Sequence, residues 1–340
     1  MRVAFVGSGL QTRRRAPVVH QAKDDRLVTI VGTDRTSAEA LAKQFDCEVE
    51  SDWRRTVARD DIDAIVVTTP PHLHAEISIA ALESGKHVLC EKPLCRTLEE
   101  AQAMLAAAER AKRVLKCGFN HRHHPAILEA HRRLEAGDFG RPISGRCRYG
   151  ICGRPGYENE WRADPARAAG GQYAEQGVHG IDLFRWFLGD LVDVSCMTTI
   201  GYFTSQTLDD NGMALFRSAG GALAMLHASL TQWENLFSFE ILGDEGYFSV
   251  DGLGATYGTE KLSLGKRDFA APFQDHVIQY RGGDSSWQSE WTEFKSAIVE
   301  GREPIGNGHD GLEAVRAVLA SYHAEATRSV VDLRGFPSAP

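Results

Sequence analysis

Over the first 120 residues the chain alternates between short β-branched apolar runs and longer amphipathic stretches. RVAFV (2–6), LVTIVG (27–32), AIVVT (64–68), HVLC (87–90) and VLKCG (114–118) read as strands, each closed by turn residues. Between them, Ala38, Leu41, Ala42 and Phe45, and then Leu98, Ala101, Met104, Leu105 and Ala108, recur at helical spacing and predict helices over 37–45 and 98–110. Strands separated by helices specify a doubly wound α/β layer with a parallel sheet, each helix laying one face on it.

After about residue 142 the pattern changes. GALAMLHASL, FSFEILGDEGYFSV and ATYGTEKLSL follow one another through glycine-rich turns with no helix between them, as in an antiparallel sheet. Gly243-Asp244-Glu245-Gly246 reads as a hairpin turn. Two late helices are predicted, over 286–299 and 311–327, the second through Leu312, Val315, Val318, Leu319 and Tyr322. A chain of 340 residues exceeds one ordinary core. The expected organisation is a nucleotide-binding domain over 1–120 and an α+β domain with a large, mostly antiparallel open sheet over 121–340.

Composition narrows the function classes. A net charge of −8 repels a phosphate backbone, so no nucleic-acid partner is expected. Arg13-Arg14-Arg15 is the one basic run, read as a solvated helix face or as a neighbour of a nucleotide phosphate. No stretch of 18 apolar residues exists and MRVAFV enters a strand directly, so neither membrane insertion nor export is expected and a cytoplasmic location is. Seven scattered cysteines without a CxxC pair suit reduced thiols, most of them small core hydrophobes. His121, His123 and His124 cluster, but without a cysteine pair or HExxH no metal is expected.

Three constellations carry chemistry. Gly7-Ser8-Gly9-Leu10-Gln11-Thr12 follows the first strand and opens a helix, the context of a dinucleotide fingerprint. Gly7 permits the turn, Gly9 lets amides approach a pyrophosphate, and Thr12 replaces the third glycine, which suggests a wider helix crossing. Asp34 ends the second strand, where a carboxylate accepts the ribose hydroxyls or else caps the next helix. It favours NAD, although Arg35 beside it leaves NADP possible.

Thr69, Pro70, His72 and His74 follow a strand whose carboxyl end lines the ligand crevice, the histidines reading either as cofactor contacts or as cap and surface residues. The next strand delivers Glu91, Lys92 and Pro93 to the same edge. A lysine there either sits beside nicotinamide and substrate, poised for proton transfer, or is a surface lysine before a proline turn. Third, Glu175, His179 and Asp182 are spaced four and three apart and share one helix face. Flanking acids suit an imidazole that receives a proton from an alcohol, while the alternative is an ordinary surface ion pair. Gly177 inside this helix marks the close approach of another group.

The ordered set GSGLQT, TTPPHLHAE, GKHVLCEKPL, GFNHRHHP, EWRADP and EQGVHGIDL resembles the glucose-fructose oxidoreductase/inositol dehydrogenase/rhizopine-catabolism family, called Gfo/Idh/MocA, over residues 1–190. The resemblance implies a Rossmann domain followed by a substrate-binding and oligomerisation domain. It also implies an NAD(P)-dependent oxidoreductase moving a hydride between nicotinamide C4 and a hydroxyl-bearing carbon of a sugar, polyol or derivative. By the same resemblance His179 takes the hydroxyl proton and Lys92 orients the oxygen, while Glu175 stands where the family has aspartate. Asp182 binds substrate hydroxyls, Trp161 and Arg162 fold over cofactor and substrate, and Asn120 and Arg122 are secondary candidates. A homodimer or homotetramer through the open sheet face is implied, with Leu223, Met225, Leu226, Phe237 and Phe239 as its apolar residues. Three other readings stay open: a ketoreductase of a nucleotide-activated sugar held by Arg154 and Arg167, an NAD-using glycosidase without net redox change, and a non-catalytic dinucleotide sensor.

Overall fold

In the computed structural model, which describes residues 1–204, 207–270 and 275–336, the N-terminal apolar runs become strands of one parallel sheet. In chain order the elements are β1 (Arg2–Val6), α1 (Leu10–Gln21), β2 (Arg26–Val31), α2 (Arg35–Phe45), β3 (Glu48–Glu50), α3 (Trp53–Val57), β4 (Ala64–Val67), α4 (His74–Glu83), β5 (His87–Cys90), α5 (Leu98–Ala111) and β6 (Leu115–Cys117). The strand order is β3-β2-β1-β4-β5-β6, with every pair parallel. It reverses direction between β1 and β4, the switch point where such sheets bind ligands beyond their carboxyl ends. β4 is buried along its whole length because helices cover both faces, which is why it reads as an unbroken apolar run. β3 went unrecognised in the sequence: its EVE is a polar edge strand with no buried residue.

The predicted apolar faces pack as expected. Ala38, Leu41 and Phe45 of α2 join Val3, Phe5 and Ile30 in one core. That core also takes Trp291 and Phe294 from α8 (Ser286–Glu300). Thr97 and Glu100 form a reciprocal capping box at the start of α5. Met1–Asn120 with Trp287–Val315 make one compact unit, and His121–Ser286 with the chain from Arg316 make the other.

The second unit holds α6 (Pro125–Glu135), β7 (Pro142–Cys152), α7 (Gln172–Leu188), β8 (Leu191–Thr199), β9 (Asn211–Ser218), β10 (Leu223–Ser229), β11 (Thr231–Gly243), β12 (Gly246–Asp251), β13 (Glu260–Lys266) and β14 (His276–Tyr280). The end of α9 (Gly308–Thr327) and β15 (Val331–Asp332) complete it. Among the described residues its sheet has nine strands in the order β14-β13-β12-β11-β7-β10-β9-β8-β15. Only β7 and β10 run parallel. The Asp244-Glu245 turn joins β11 to β12 as a hairpin, with Leu242 opposite Tyr247.

α7 lies along β7, β9 and β10, and burial alternates along β9 and over the first part of β10. On β10, Ala224 and Leu226 point in while Leu223 and Met225 point out. This corrects the expected apolar sheet face. Leu226, Phe237 and Phe239 are buried core residues, with Phe239 packed on Phe184 and Phe187 of α7. The exposed apolar face consists instead of Met197, Met213, Leu215, Leu223 and Met225. Among the described residues no helix is long and apolar enough to cross a membrane, and the seven cysteines form no disulfide.

Candidate active site

The dinucleotide turn is built by exclusion of side chains. Gly7 has φ +125°, and a Cβ there would overlap Thr68. Thr12 Oγ1 donates to the Gly7 carbonyl (2.7 Å) and lies 2.7 Å from Thr68 Oγ1. The position expected to widen the helix crossing is thus a fully buried hydroxyl that locks the turn to the end of β4. Gly9 is the N-cap of α1, with no side-chain cap among the described residues and open space where a Cβ would stand. Leu10 at the helix start is half exposed. The first amides of α1 therefore face a clear approach, which suits a pyrophosphate. Gln11 Oε1 and Thr69 Oγ1 are buried without a hydrogen-bond partner among the described residues. Buried polar atoms normally find partners, so these two fit a polar ligand at the strand ends.

Asp34 does what the capping alternative required, accepting the Ser37 N–H at 3.2 Å, while the Ser37 hydroxyl donates to the Ser8 carbonyl at 2.7 Å. These bonds fasten α2 to the glycine turn. Arg35 lies on the surface, paired with Glu39 at 2.6 Å.

Two histidine and lysine expectations need revision. His74 is neither a surface residue nor a cap: it is 1% exposed, with Nδ1 2.9 Å from the Pro93 carbonyl and Nε2 2.8 Å from the Thr69 carbonyl. It is a strut between the turns after β4 and β5, next to Pro70. Burial holds its pKa below the ordinary value. Lys92, joined to Pro93 by a cis peptide bond, is 8% exposed, so the surface-lysine alternative fails. Glu91 accepts Arg15 Nε at 2.5 Å and the Lys92 N–H at 3.2 Å. Of the basic run only Arg13 and Arg14 are solvated, since Arg15 lies buried under the Trp287 ring.

In the second unit, α7 carries Glu175, His179 and Asp182 inward. His179 is 3% exposed and stacks on His121, with ring centroids 3.8 Å apart. Tyr149 stands 6.0 Å from the same ring. Asp182 takes a two-point bond from Arg122, at 2.8 Å and 2.6 Å, and the guanidinium lies 5.2 Å from the Trp186 ring. Glu175 accepts Arg162 Nε at 3.4 Å, and Arg162 also reaches Glu160 at 3.3 Å and covers the Trp161 ring. Burial alone would lower the Arg162 pKa, but the Glu175 charge leads the effects that raise it. Arg154, the candidate diphosphate ligand, is paired with Glu160 at 2.5 Å.

The histidine cluster divides. His121 faces His179, while His124 pairs with Glu260 at 3.0 Å. Among the described residues no group of three histidine, cysteine, aspartate or glutamate side chains is placed to hold a metal ion. The structure joins Arg162 to Glu175 and Arg122 to Asp182, pairings that spacing could not show. Lys92 belongs to the first unit and the α7 residues to the second.

Two residues that hold the start of α7 carried no signal of that role in the sequence, where Tyr322 read only as a periodic position of the last helix. Asp209 Oδ2 accepts the Tyr173 N–H (2.8 Å), its carbonyl accepts the Gln172 N–H (2.8 Å), and Tyr322 donates to Oδ1 (2.7 Å) while accepting the Gly171 N–H (3.0 Å). Together they cap α7, the helix of His179, from far along the chain. Burial raises the Asp209 pKa above its ordinary value against these hydrogen bonds.

A family model described as "Oxidoreductase family, NAD-binding Rossmann fold" matches residues 1–119, and one described as "GFO/IDH/MocA C-terminal domain" matches 127–249. The 1,5-anhydro-D-fructose reductase of Ensifer adhaerens is 31% identical, over 98% of each chain. The chain belongs to the GFO/IDH/MocA family. The levoglucosan dehydrogenase of Pseudarthrobacter phenanthrenivorans is 29% identical, over 91% of this chain and 89% of its own. A solved structure of levoglucosan dehydrogenase in complex with NADH superposes with a TM-score of 0.90 at 26% identity, over 100% of both chains. As a GFO/IDH/MocA member this chain is an NAD-dependent oxidoreductase whose relatives work on sugars and polyols.

Proposed function

We propose that the protein transfers a hydride between NAD and a hydroxyl-bearing carbon of an uncharged cyclic polyol, anhydrosugar or hexose, with Lys92 and His179 handling the hydroxyl proton. The observation that carries this reading is the burial of both groups, a lysine at 8% exposure and an imidazole at 3%, each on a motif the family shares. When bound, NAD supplies the hydride acceptor at nicotinamide C4. The first amides of α1, Gln11 and Thr69 would hold it, and Asp34, whose Oδ1 caps α2, would offer its other carboxylate oxygen to a ribose hydroxyl. The Asp34 carboxylate would meet a 2′-phosphate with like charge, which favours NAD over NADP.

In the oxidative direction the carbon gives up its hydrogen with the electron pair, and the hydroxyl proton passes to His179, leaving a carbonyl. His121, stacked on the imidazole, fixes the plane of the ring. Glu175 lies one helical turn before His179, close enough in sequence to favour the imidazolium that forms. Lys92 orients the hydroxyl oxygen and supports the negative charge that develops on it. Arg122 with Asp182, and Arg162 with Glu175, present fixed donors and acceptors to the remaining hydroxyls.

Relatives named for levoglucosan, 1,5-anhydro-D-fructose and inositol all involve polyhydroxylated rings, which supports a free ring as substrate. The Arg154–Glu160 pair removes one arginine from the nucleotide-sugar alternative. The exposed apolar face of the second sheet is in keeping with a homodimer or homotetramer formed there, and cysteines that form no disulfide with a cytoplasmic setting. A light-scattering mass of a single chain would contradict the oligomer. Cofactor absorbance, followed with NAD and NADP across inositols, anhydrosugars, hexoses and nucleotide sugars, tests the reaction itself. Turnover with a free ring and NAD is the expected result. NADH-free turnover of a glycoside, or inhibition by a bare nucleoside diphosphate, would move the assignment to one of the alternatives.

A further inference from the structure

A run of buried charges crosses the first unit and includes the residue next to Lys92. Arg15, on the second turn of α1, donates Nε to Glu91 Oε1 and Nη1 to Glu290 Oε2, both at 2.5 Å. Lys116 of β6 lies 3.6 Å from the other oxygen of Glu290. No side chain of the four is more than 5% exposed, and two positive charges face two negative ones. The second oxygen of Glu91 accepts the Lys92 N–H at 3.2 Å. The carboxylate is therefore clamped between a guanidinium fork and the backbone of Lys92.

Burying such a run costs desolvation that the Coulomb attraction only roughly offsets, so stability alone accounts poorly for it. What the fork does supply is geometry: a planar guanidinium fixes two carboxylates in direction as well as distance. α1 begins at the dinucleotide turn, so the same fork joins the cofactor helix to the lysine turn, and Glu290 of α8 holds its far arm.

We propose that Arg15 is a positioning residue for the reaction: by holding Glu91 it fixes the Glu91-Lys92-Pro93 turn and with it the Lys92 side chain. This rests on the assignment of Lys92 to the substrate hydroxyl. Without the guanidinium, Glu91 is a lone buried charge that turns toward solvent and releases the Lys92 N–H.

The test is the reactivity of Lys92 itself, in Arg15→Met and in Arg15→Lys. Trinitrobenzenesulfonate labelling, read by peptide mass, should rise about tenfold at Lys92 in folded Arg15→Met as the turn opens locally. Lys86 serves as the internal control, because it is equally buried at the other end of β5 and bonded to the Arg59 carbonyl at 2.7 Å. Its rate should not change. In the same variant kcat should fall about 100-fold, the cost of a misplaced catalytic group, with the NAD dissociation constant little altered. Arg15→Lys keeps the charge without the fork and should label at an intermediate rate, which covers the case in which the methionine variant does not fold. A parallel rise at Lys86 and Lys92 would reduce Arg15 to an ordinary buried ion and overturn the proposal, as would lost turnover with no rise at Lys92. Selective labelling with unchanged kcat would support the positioning and remove Lys92 from the hydroxyl chemistry, so the two readings fail separately.

Discussion

His87 accepts the Val114 N–H at Nδ1 (3.1 Å), so its ring is neutral with the proton on Nε2. Burial, joined by the charge of Arg113, brings its pKa down to about 4. His74 is displaced in the same direction, also by burial. An unfolded histidine titrates near pH 6.5, so below that the unfolded chain takes up protons that the folded chain refuses. Stability is then fully present above about pH 6.5 and falls as the pH drops toward 4. His87→Asn keeps an acceptor at the Nδ1 position for Val114 but cannot titrate. Its melting temperature should match wild type at pH 8 and fall less steeply between pH 6.5 and 4.5, a window set by about 6.5 for a free histidine. A slope equal to wild type would show that His87 is not the group responsible. At this scale Lys92 and His179 were legible as candidates, because their motifs are local. Arg15 and Glu290 were not: they sit 275 positions apart, and only the fold reveals that the third arginine of a basic run points inward.

α7 shows what an element adds to its residues. Its two interior glycines look alike in sequence, yet they meet the sheet differently. A Cβ on Gly180 would stand 2.6 Å from Leu226 Cδ1 and 3.0 Å from Cys147 Sγ, both fully or nearly buried. A Cβ on Gly177 would be 3.3 Å from Ala228 Cβ and from Leu226 Cδ2. Alanine gains about 1 kcal/mol in helix propensity at either site. Overpacking a filled core costs about 1–3 kcal/mol, so Gly180→Ala should be destabilised by up to about 2 kcal/mol net, measured from urea midpoints. Gly177→Ala should stay within about 1 kcal/mol of wild type, its overlap and its propensity nearly cancelling. Equal effects at both positions would refute this account of how α7 docks. The sequence marked Gly177 for close approach without saying of what, and the answer is the β10 side chains beneath the helix. Periodicity likewise identified α8 as amphipathic but could not say which sheet it covers, because a repeat defines a face and not its neighbour.

For the whole molecule, the change from helix-separated to turn-separated strands was enough to foresee one parallel and one mostly antiparallel sheet, and both are present. The faces of the second sheet were harder to assign. Alternation puts Leu223 and Leu226 on opposite sides, but only what covers a face decides which side is core: α7 buries Leu226 and Phe239, while Phe237 packs on His121 and Tyr149. In the proposed reaction Lys92 and His179 handle the proton of one substrate hydroxyl while NAD takes the hydride. The most direct test compares wild type, Lys92→Ala and His179→Gln for NADH formation on the best ring substrate of the panel, with NAD binding measured alongside. Loss of general acid–base help predicts kcat lower by about 100- to 10,000-fold in each variant, with NAD affinity retained. Variants that turn over at the wild-type rate, or that lose activity only in step with NAD binding, would contradict the assignment.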